Sequence, residues 1–299
     1  MSASIIDHLR QSATSLEPVP TAETPVLEEL PDVRAVLFDI YGTLLVSGSG
    51  DVGTLRQAAR EDVFAEALAS VGLKCRVAGH VGFSAFLATI ERDHAEGRQR
   101  GTPFPEVEIR SVWRRTIAAL RGRGDVEGPE LDDDAIEQLA IAYESRVNPT
   151  WPMPHAAKVI RSLAERGYPL GIVSNAQFFT PMLFEAYFRC SLIELEMEPD
   201  LLVFSFEHLA AKPGPELFAR ALNALRGRGI EDSQTLYVGN DMLNDVMAAS
   251  KAGLKTALFA GDKRSLRLRR EDSRCDGIRP NLVLTELDQL TDCLTRPPI

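Results

Sequence analysis

The stretch AVLFDIYGTLL, residues 35–45, decides the fold of this chain. Its first five residues, Ala35 to Asp39, contain four apolar side chains and one acid. A short apolar run bounded by turn residues is typical of a strand that is covered on both faces. The sequence therefore predicts a buried strand that ends in the carboxylate of Asp39, with Tyr41 two residues farther on.

Strand and helix patterns alternate in the second half of the chain. Helical spacing over 156–167 is followed by the apolar segment YPLGIVSN. The further predicted strands are LLVFSF at 201–206, TLYVGND at 235–241, KTALFA at 255–260 and NLVL at 281–284. Strands separated by helices of this length form a parallel sheet with right-handed crossovers. The predicted fold class is α/β, with a doubly wound, Rossmann-like parallel sheet as its core.

A long helical block interrupts this core after its first strand. Over residues 47–149 apolar side chains recur at helical spacing, and no clear strand signal is present. Residues 1–31 contain four prolines among acids and small polar residues, a composition that resists regular structure. We therefore interpret the chain as a flexible N-terminal segment, an α/β core and an inserted all-helical cap, at 1–31, at 32–46 with 150–299, and at 47–149.

The overall charge favours small molecules over polyanions as partners. The formal net charge of −10 argues against nucleic acid and against an anionic membrane surface, because both favour a basic face. The four cysteines show no CxxC spacing, so neither a zinc site nor a disulfide framework is indicated. No apolar run approaches the roughly 20 residues of a membrane helix, and the N-terminus lacks the apolar core of a secretory signal. The predicted location is the cytoplasm.

Polar residues follow the predicted strands at the edge of the sheet where ligands bind in such folds. They are Asp39 and Thr43, Ser174 and Asn175, Lys212, and Asn240, Asp241, Asn244 and Asp245. A carboxylate nucleophile is reactive at neutral pH without a base, but it needs cations and hydrogen-bond donors to orient it and to receive an anion. Lys212 supplies the cation, and Asp245 is placed to keep it charged. Thr43, Ser174 and Asn175 supply donors for the oxygens of a small anionic substrate.

Four ordered segments of this chain resemble the haloacid dehalogenase (HAD) superfamily of hydrolases. They are AVLFDIYGTLL, GIVSN, Lys212 with Pro213, and YVGNDMLNDV. By that resemblance Asp39 would be the covalent nucleophile, and Lys212 would neutralise the charge of the transferred group. Thr43 and Ser174 would bind that group. The helical insertion occupies the place of the cap that many members carry.

Residue 41 is where subfamilies of this superfamily diverge. Its phosphatases carry an acid two residues after the nucleophile, which works as general acid and base, whereas this chain has Tyr41. The 2-haloacid dehalogenases are similar to this chain in having Asp-x-Tyr-Gly-Thr. A phenol with an ordinary pKa near about 10 is a poor base at neutral pH, so slow turnover is expected of a phosphatase built this way.

The fourth segment is more similar to that of the phosphatases. The resemblance implies a Mg²⁺ ion held by Asp39, by the backbone carbonyl of Tyr41 and by Asp241, with Asp245 four residues later in support. Asn240 is a departure, because the family more often joins the glycine directly to an acid. If Asn240 faced the site in place of Asp241, a neutral amide would bind a hard cation less well.

Three hypotheses follow. The first is a HAD-like hydrolase acting through a covalent Asp39 intermediate, a phosphatase that depends on Mg²⁺. The second is a metal-free 2-haloacid dehalogenase, for which Arg56 is the candidate for the arginine that binds the substrate. The third is a catalytically weak binding or regulatory protein on the same fold. In the insertion, Arg56, Arg92, His94 and Arg98 are within reach of an anionic substrate in one interpretation, but a charged helix face is favoured for each. The basic run at 262–270 is interpreted as a solvated face or an interface.

Overall fold

The computed structural model of the protein describes residues 2–49 and 57–294. No helix in these two ranges is long and apolar enough to cross a bilayer. The strands within them are, in chain order, β1 Ala35–Phe38, β2 Leu45–Ser47, β3 Lys74–Cys75, β4 Val126–Glu127, β5 Thr150–Pro152, β6 Leu170–Ser174, β7 Leu202–Phe204, β8 Thr235–Gly239, β9 Lys255–Phe259 and β10 Leu282–Leu284.

In the core the helices lie between the strands in the alternating order that the sequence predicts, whereas the insertion, expected to be all-helical, also contains the short antiparallel pair β3 and β4. They are α1 Ser2–Ser12, α2 Gln57–Ser70, α3 Gly79–Gln99, α4 Ile109–Gly122, α5 Asp133–Val147, α6 Ala156–Glu165, α7 Thr180–Phe188, α8 Ser205–His208, α9 Glu216–Gly227, α10 Ala248–Lys251 and α11 Gln289–Cys293. A π-helix, Met242–Met247, runs directly into α10. The sequence predicts one regular helix there.

The core is a six-stranded parallel sheet in the order β10-β9-β8-β1-β6-β7. β1 lies in the middle, between β8 and β6, and all four of its side chains are buried. Because the chain continues from β1 to β6 and β7 on one side and then returns to β8 on the other, this position is a switch point, where ligands bind beyond the carboxyl ends of the strands. The predicted α/β parallel sheet is confirmed.

Helices α2 to α5 pack against one another around aromatic side chains. Caps fix where two of them begin: the Glu108 carboxylate accepts from the first backbone N–H groups of α4, and Asp132 does the same for α5. The two connections to the core are strands themselves, since β2 and β5 pair antiparallel. The Ser47 hydroxyl also donates to Asn148 Oδ1 at 2.8 Å. The chain thus leaves the core and returns to it at adjacent points.

The N-terminal segment differs from the flexible stretch that its composition predicts. α1 buries Ile5, Ile6 and Leu9 and packs against α7. The Arg10 guanidinium donates to two backbone carbonyls near the end of α7, and Val26 forms a β-bridge with Val283. Three apolar residues at helical spacing therefore outweigh the proline-rich composition that follows them.

Candidate active site

The ends of the three central strands bring the polar residues of the site together. Asp39 follows β1, Ser174 ends β6 and Asn240 follows β8. The Ser174 hydroxyl donates to Asp39 Oδ1 at 2.9 Å, and Asp39 is only 7% exposed. Parallel strands place their carboxyl ends at one edge, which explains why side chains 135 residues apart in sequence are in contact.

Lys212 lies at the centre of this group. Its Nζ is 2.8 Å from Asp39 Oδ1, 2.6 Å from Asp245 Oδ1 and 2.7 Å from the Tyr237 hydroxyl, so each of its donors has a partner. Burial lowers the pKa of Lys212, but the negative charges of Asp245 and Asp39 outweigh burial and raise it above its usual value. The lysine is therefore a permanent cation at neutral pH.

The sequence did not indicate Tyr237 as part of the site. It lies on β8 with no exposed surface, and its hydroxyl donates to the Val173 carbonyl at 2.7 Å while accepting from Lys212. Burial and the charges of Asp245 and Asp39 hold the pKa of its phenol well above the usual value. In the sequence Tyr237 resembles any core residue of a buried strand. Only the position of its hydroxyl, which accepts a hydrogen bond from Lys212, makes it part of the site.

Asp245 supports the lysine from the π-helix. Its other oxygen, Oδ2, accepts from the backbone N–H of Asp241 at 2.9 Å. Burial raises its pKa, although the charge of Lys212 acts in the opposite direction. A side chain at Gly239 would clash with it, because a Cβ there would lie 2.4 Å from Asp245 Cγ. The glycine before Asn240 is thus required for Asp245 to reach Lys212.

The three predicted substrate-binding residues, Thr43, Ser174 and Asn175, contact other residues of the site. Thr43 and Ser174 have no exposed surface, and the Thr43 hydroxyl donates to Asn240 Oδ1 at 3.3 Å. Asn175 holds the backbone of Lys212: its Oδ1 accepts from Lys212 N at 2.8 Å, and its Nδ2 donates to the Lys212 carbonyl at 3.2 Å. Among these side chains Asn175 also lines the cavity described below. The geometry gives Ser174 and Asn175 positioning roles toward Asp39 and Lys212.

Tyr41 lines the cavity and is held by its hydroxyl. That hydroxyl lies 2.9 Å from Thr180 Oγ1, at the start of α7. Burial, followed by the negative charge of Glu144, raises the pKa of the phenol far above its usual range. Tyr41 therefore remains protonated at neutral pH and cannot serve as a general base.

Asp241 is compensated by an arginine that the sequence reading placed on a solvated face. The guanidinium of Arg269 donates to both carboxylate oxygens, with Nη2 2.6 Å from Oδ2 and Nε 3.1 Å from Oδ1. Asp241 also caps the π-helix, since Oδ1 accepts from Leu243 N at 2.8 Å, and Asn244 Nδ2 donates to Oδ2 at 3.1 Å. Both oxygens of the Asp241 carboxylate therefore already accept hydrogen bonds from other groups of the chain.

The basic run at 262–270 folds over the fourth segment as a strap. Arg267 N donates to the Asn240 carbonyl at 3.0 Å, and Asn240 Nδ2 donates to the Ser265 carbonyl at 2.6 Å. Gly42 lets this contact form, because a Cβ there would lie 2.5 Å from Asn240 Nδ2. Arg267 also lines the cavity. The interpretation of this run as a solvated face was wrong for Arg267 and Arg269.

These contacts bear on the expected Mg²⁺ site. The ligands implied by the resemblance are Asp39, the Tyr41 carbonyl and Asp241. Across the described ranges, no group of three or more His, Cys, Asp or Glu side chains is arranged to hold a metal ion. Mg²⁺ needs carboxylate oxygens free to coordinate it, whereas both oxygens of Asp241 already accept from a guanidinium. The residues as arranged do not fit the ion.

A cavity of about 440 Å³ lies between the sheet edge and helices α3 to α5. Asp39, Lys212 and Arg267 are at its polar end. Of the charged residues in the insertion that were interpreted as a helix face, His94 lines the cavity. Arg56 lies outside the described residues. This shape encloses a small molecule against Asp39.

Comparison with known proteins decides the family. A family described as haloacid dehalogenase-like hydrolase matches residues 33–253. The chain belongs to the haloacid dehalogenase-like hydrolases. The match covers the sheet from β1 to β8 together with the inserted helices.

This haloacid dehalogenase-like hydrolase is similar to proteins with two different names. It is 28% identical over 239 residues to the phosphoglycolate phosphatase of Escherichia coli (strain K12), covering 76% of this chain and 81% of that protein. It is 23% identical over 163 residues to the rhythmically expressed gene 2 protein of Drosophila melanogaster, covering 52% and 58%.

Two of the solved structures with this fold are described as follows. One is a 2-haloacid dehalogenase from Pseudomonas syringae pv. Tomato DC3000, with a TM-score of 0.53 and 19% identity, covering 87% of this chain and 97% of that one. The other is a HAD phosphatase from Thermococcus onnurineus, with a TM-score of 0.52 and 18% identity, covering 89% and 100%. At these identities the likeness shows the fold alone.

Proposed function

We propose that this hydrolase cleaves a small phosphate monoester through a covalent intermediate on Asp39. The observation that carries the proposal is the contact between Asp39 Oδ1 and the buried Lys212 Nζ, 2.8 Å apart at the polar end of the cavity. Ser174 donates to the same oxygen. We therefore assign Oδ2 as the attacking atom, with Oδ1 held by the two donors.

In the first step Oδ2 of Asp39 attacks phosphorus and the bond from phosphorus to the ester oxygen breaks. The leaving alkoxide takes a proton from water, because Tyr41 is held protonated by burial and is far weaker as an acid than a carboxylic acid. Water then attacks the phosphorus of the acyl phosphate, the bond from phosphorus to Asp39 Oδ2 breaks, and inorganic phosphate leaves with the Asp39 carboxylate restored. The proton that this water loses neutralises the hydroxide formed in the first step. Lys212 and Arg267 offset the negative charge of the phosphoryl group. Esters with good leaving groups are the expected substrates.

The relatives named phosphoglycolate phosphatase support phosphate ester hydrolysis over other reactions of the family. The Mg²⁺ requirement expected from the resemblance is not part of the proposal, since Asp241 is already paired with Arg269. Two cations of the chain pair with the carboxylates of the site instead: Lys212 with Asp39 and Asp245, and Arg269 with Asp241.

A second candidate is the metal-free hydrolysis of a 2-haloacid. It is favoured by Tyr41 and by the pairing of Arg269 with Asp241. In that reaction Asp39 attacks a carbon atom and halide leaves as an anion, so no general acid is needed. The tyrosine at residue 41 and the compensated Asp241 are compatible with this chemistry. Arg267, on the cavity wall, takes the role of anion-binding arginine in this reading.

A paired assay separates the two candidates. The purified protein and its Asp39→Asn variant are compared on a panel of phosphate esters and on 2-haloacids, each with Mg²⁺ and with EDTA. Phosphate release by the wild type alone would support the proposal, and halide release by the wild type alone would support the second candidate. Equal rates for the two proteins on every substrate would contradict both, and would leave a binding or regulatory role on this fold.

A further inference from the structure

The cavity has two ends of different chemistry. At the reacting end lie Asp39, Lys212, Asn240 and Arg267. The wall contributed by helices α3, α4 and α5 is made mainly of apolar and aromatic side chains, Phe83, Phe86, Leu87, Ile90, Trp113 and Tyr143. A pocket in which a few polar groups converge at one end of an apolar wall is typical of a site for a small organic molecule.

The aromatic wall is fixed in position by packing among its members. The ring of Phe86 lies 4.5 Å from that of Trp113 and 5.5 Å from that of Tyr143, measured between centroids. Trp113 and Tyr143 meet edge to face at 5.5 Å. These residues come from three different helices, so the wall is preformed. It requires no rearrangement to receive an apolar group.

The volume exceeds what the smallest substrates of this chemistry would fill. A cavity of about 440 Å³ has room for an aromatic ring or a branched chain in addition to a phosphoryl group. Two further acids, Glu106 and Glu144, line it, and the charge of Glu144 acts on Tyr41. Among the described residues that line it, the lysine and arginine side chains are Lys212 and Arg267, both at the reacting end. A second carboxylate on the substrate would therefore lie near acids and apolar groups.

We propose that the substrate carries an uncharged aromatic or branched apolar group on its phosphate ester, and that this group lies against Phe86, Leu87 and Ile90. The site then disfavours esters that carry a carboxylate on the alcohol. This inference rests on the proposed phosphatase function and specifies its substrate class.

Phosphonates test the inference without requiring turnover. Isothermal titration calorimetry measures binding of benzylphosphonate, methylphosphonate and phosphonoacetate to the full chain. We expect benzylphosphonate to bind at least about tenfold more tightly than methylphosphonate, because a tenfold change corresponds to about 1.4 kcal/mol and burial of a ring exceeds it. Phosphonoacetate, which has a carboxylate instead of the ring, is expected to bind no more tightly than methylphosphonate.

Leu87 offers a variant that leaves the fold intact, since it lines the cavity although 42% of its surface is exposed. Leu87→Ser should weaken benzylphosphonate binding about threefold and leave methylphosphonate unchanged. Ile193→Ser is the matched control, because Ile193 is 48% exposed and does not line the cavity. Phe86→Ala should weaken benzylphosphonate binding more strongly, and Phe86→Leu should restore most of it.

The outcomes separate this inference from the function on which it rests. If methylphosphonate binds and benzylphosphonate binds no more tightly, the apolar substrate class is overturned while phosphate recognition stands. Tightest binding of phosphonoacetate would overturn it as well. If none of the three binds, both the inference and the proposed phosphatase function are overturned. The expected order, with the preference for benzylphosphonate reduced in Leu87→Ser and unchanged in Ile193→Ser, supports the inference even if Asp39 turns over only esters with good leaving groups.

Discussion

Arg269 and Asp241 are 28 residues apart in sequence and form an ion pair in which the guanidinium contacts both carboxylate oxygens. Such two-point contacts are stronger and more directional than the single contact of a lysine. Asp241 is 7% exposed, so solvent screens the pair only weakly. The charge that a divalent ion would neutralise at this position is already neutralised by the chain itself.

Removal of Arg269 should therefore create a metal requirement. We expect catalysis by the wild-type protein to be unchanged by EDTA and its calorimetric titration with Mn²⁺ to show no saturable site at about 1 mM. Arg269→Ala frees Asp241, and this variant should bind Mn²⁺ and lose activity in EDTA. Arg270→Ala is the control, because Arg270 is 75% exposed and pairs with Glu23. Saturable Mn²⁺ binding by the wild type would contradict the prediction.

Lys212 is predicted to contribute both to the free energy of unfolding and to catalysis, and a double substitution separates the two effects. Lys212→Met leaves Asp39 and Asp245 buried without their cation, which should lower the free energy of unfolding by about 3–5 kcal/mol. Adding Asp245→Asn removes one of the two uncompensated charges and should recover part of that loss. Activity should stay at least about 100-fold below wild type in both, because the cation beside Asp39 is absent. Denaturant unfolding and kcat measure the two effects, and recovery of activity in the double variant would refute the assignment.

Tyr41 is predicted to take no part in proton transfer. Tyr41→Phe should leave kcat within about threefold of wild type, since the raised pKa keeps the phenol protonated throughout the neutral range. Tyr41→Asp supplies the missing acid and base, and should raise phosphate ester turnover about 100-fold for esters with poor leaving groups. No gain for Tyr41→Asp on any ester would count against the phosphatase proposal. A large loss in Tyr41→Phe would instead show that the hydroxyl acts.

Glu106 gives a prediction for pH. Burial raises the pKa of its carboxyl above 4.5, so the folded state favours the protonated form, and the stability from this group is lost as pH rises. The Glu106 oxygens accept from Val107 N and from the Ser205 hydroxyl. A glutamine keeps both contacts when its NH2 group donates to the Ser205 oxygen and the Ser205 hydroxyl donates to the Ala176 carbonyl. Glu106→Gln should therefore raise Tm at about pH 8, with the difference vanishing near about pH 4.

Glu194 is the control of opposite sign for that experiment. Hydrogen bonds from Ser191 N and the Ser191 hydroxyl lower the pKa of its carboxyl. Its contribution is present above the unfolded pKa and is lost as pH falls, so Glu194→Gln should not raise Tm at about pH 8. A rise of the same size in both variants would attribute the Glu106 effect to net charge alone.

The sequence predicted those parts of the site that follow from regular structure. Asp39, Ser174 and Asp245 were assigned to one edge of the sheet because they follow predicted parallel strands, and the structure places all three there. Lys212 reaches the same edge from a loop. It was predicted as a site residue because a lysine followed by Pro213 is the third of the four ordered segments. Periodicity of apolar residues also predicted the order of strands and helices.

What the sequence did not predict depends on contacts between distant segments. Nothing in the basic run indicated that Arg269 would turn toward Asp241, since a loop has no periodicity that fixes the direction of its side chains. Asn175 was assigned to an anion, whereas its amide holds the backbone of Lys212. Tyr237 fell within a predicted strand and was not indicated as part of the site, yet its hydroxyl contacts Lys212 Nζ at 2.7 Å.

The antiparallel pairing of β2 with β5 has a consequence for how such enzymes diversify. Because Leu45 faces Pro152 and Ser47 faces Thr150, the two ends of the inserted helices are held side by side whatever lies between them. The sheet with Asp39 and Lys212 can thus keep its geometry while the insert is replaced. We expect that grafting the helices of a relative between these two strands would transfer substrate preference without rebuilding the nucleophile, so that recognition and chemistry evolve on separate segments of one gene.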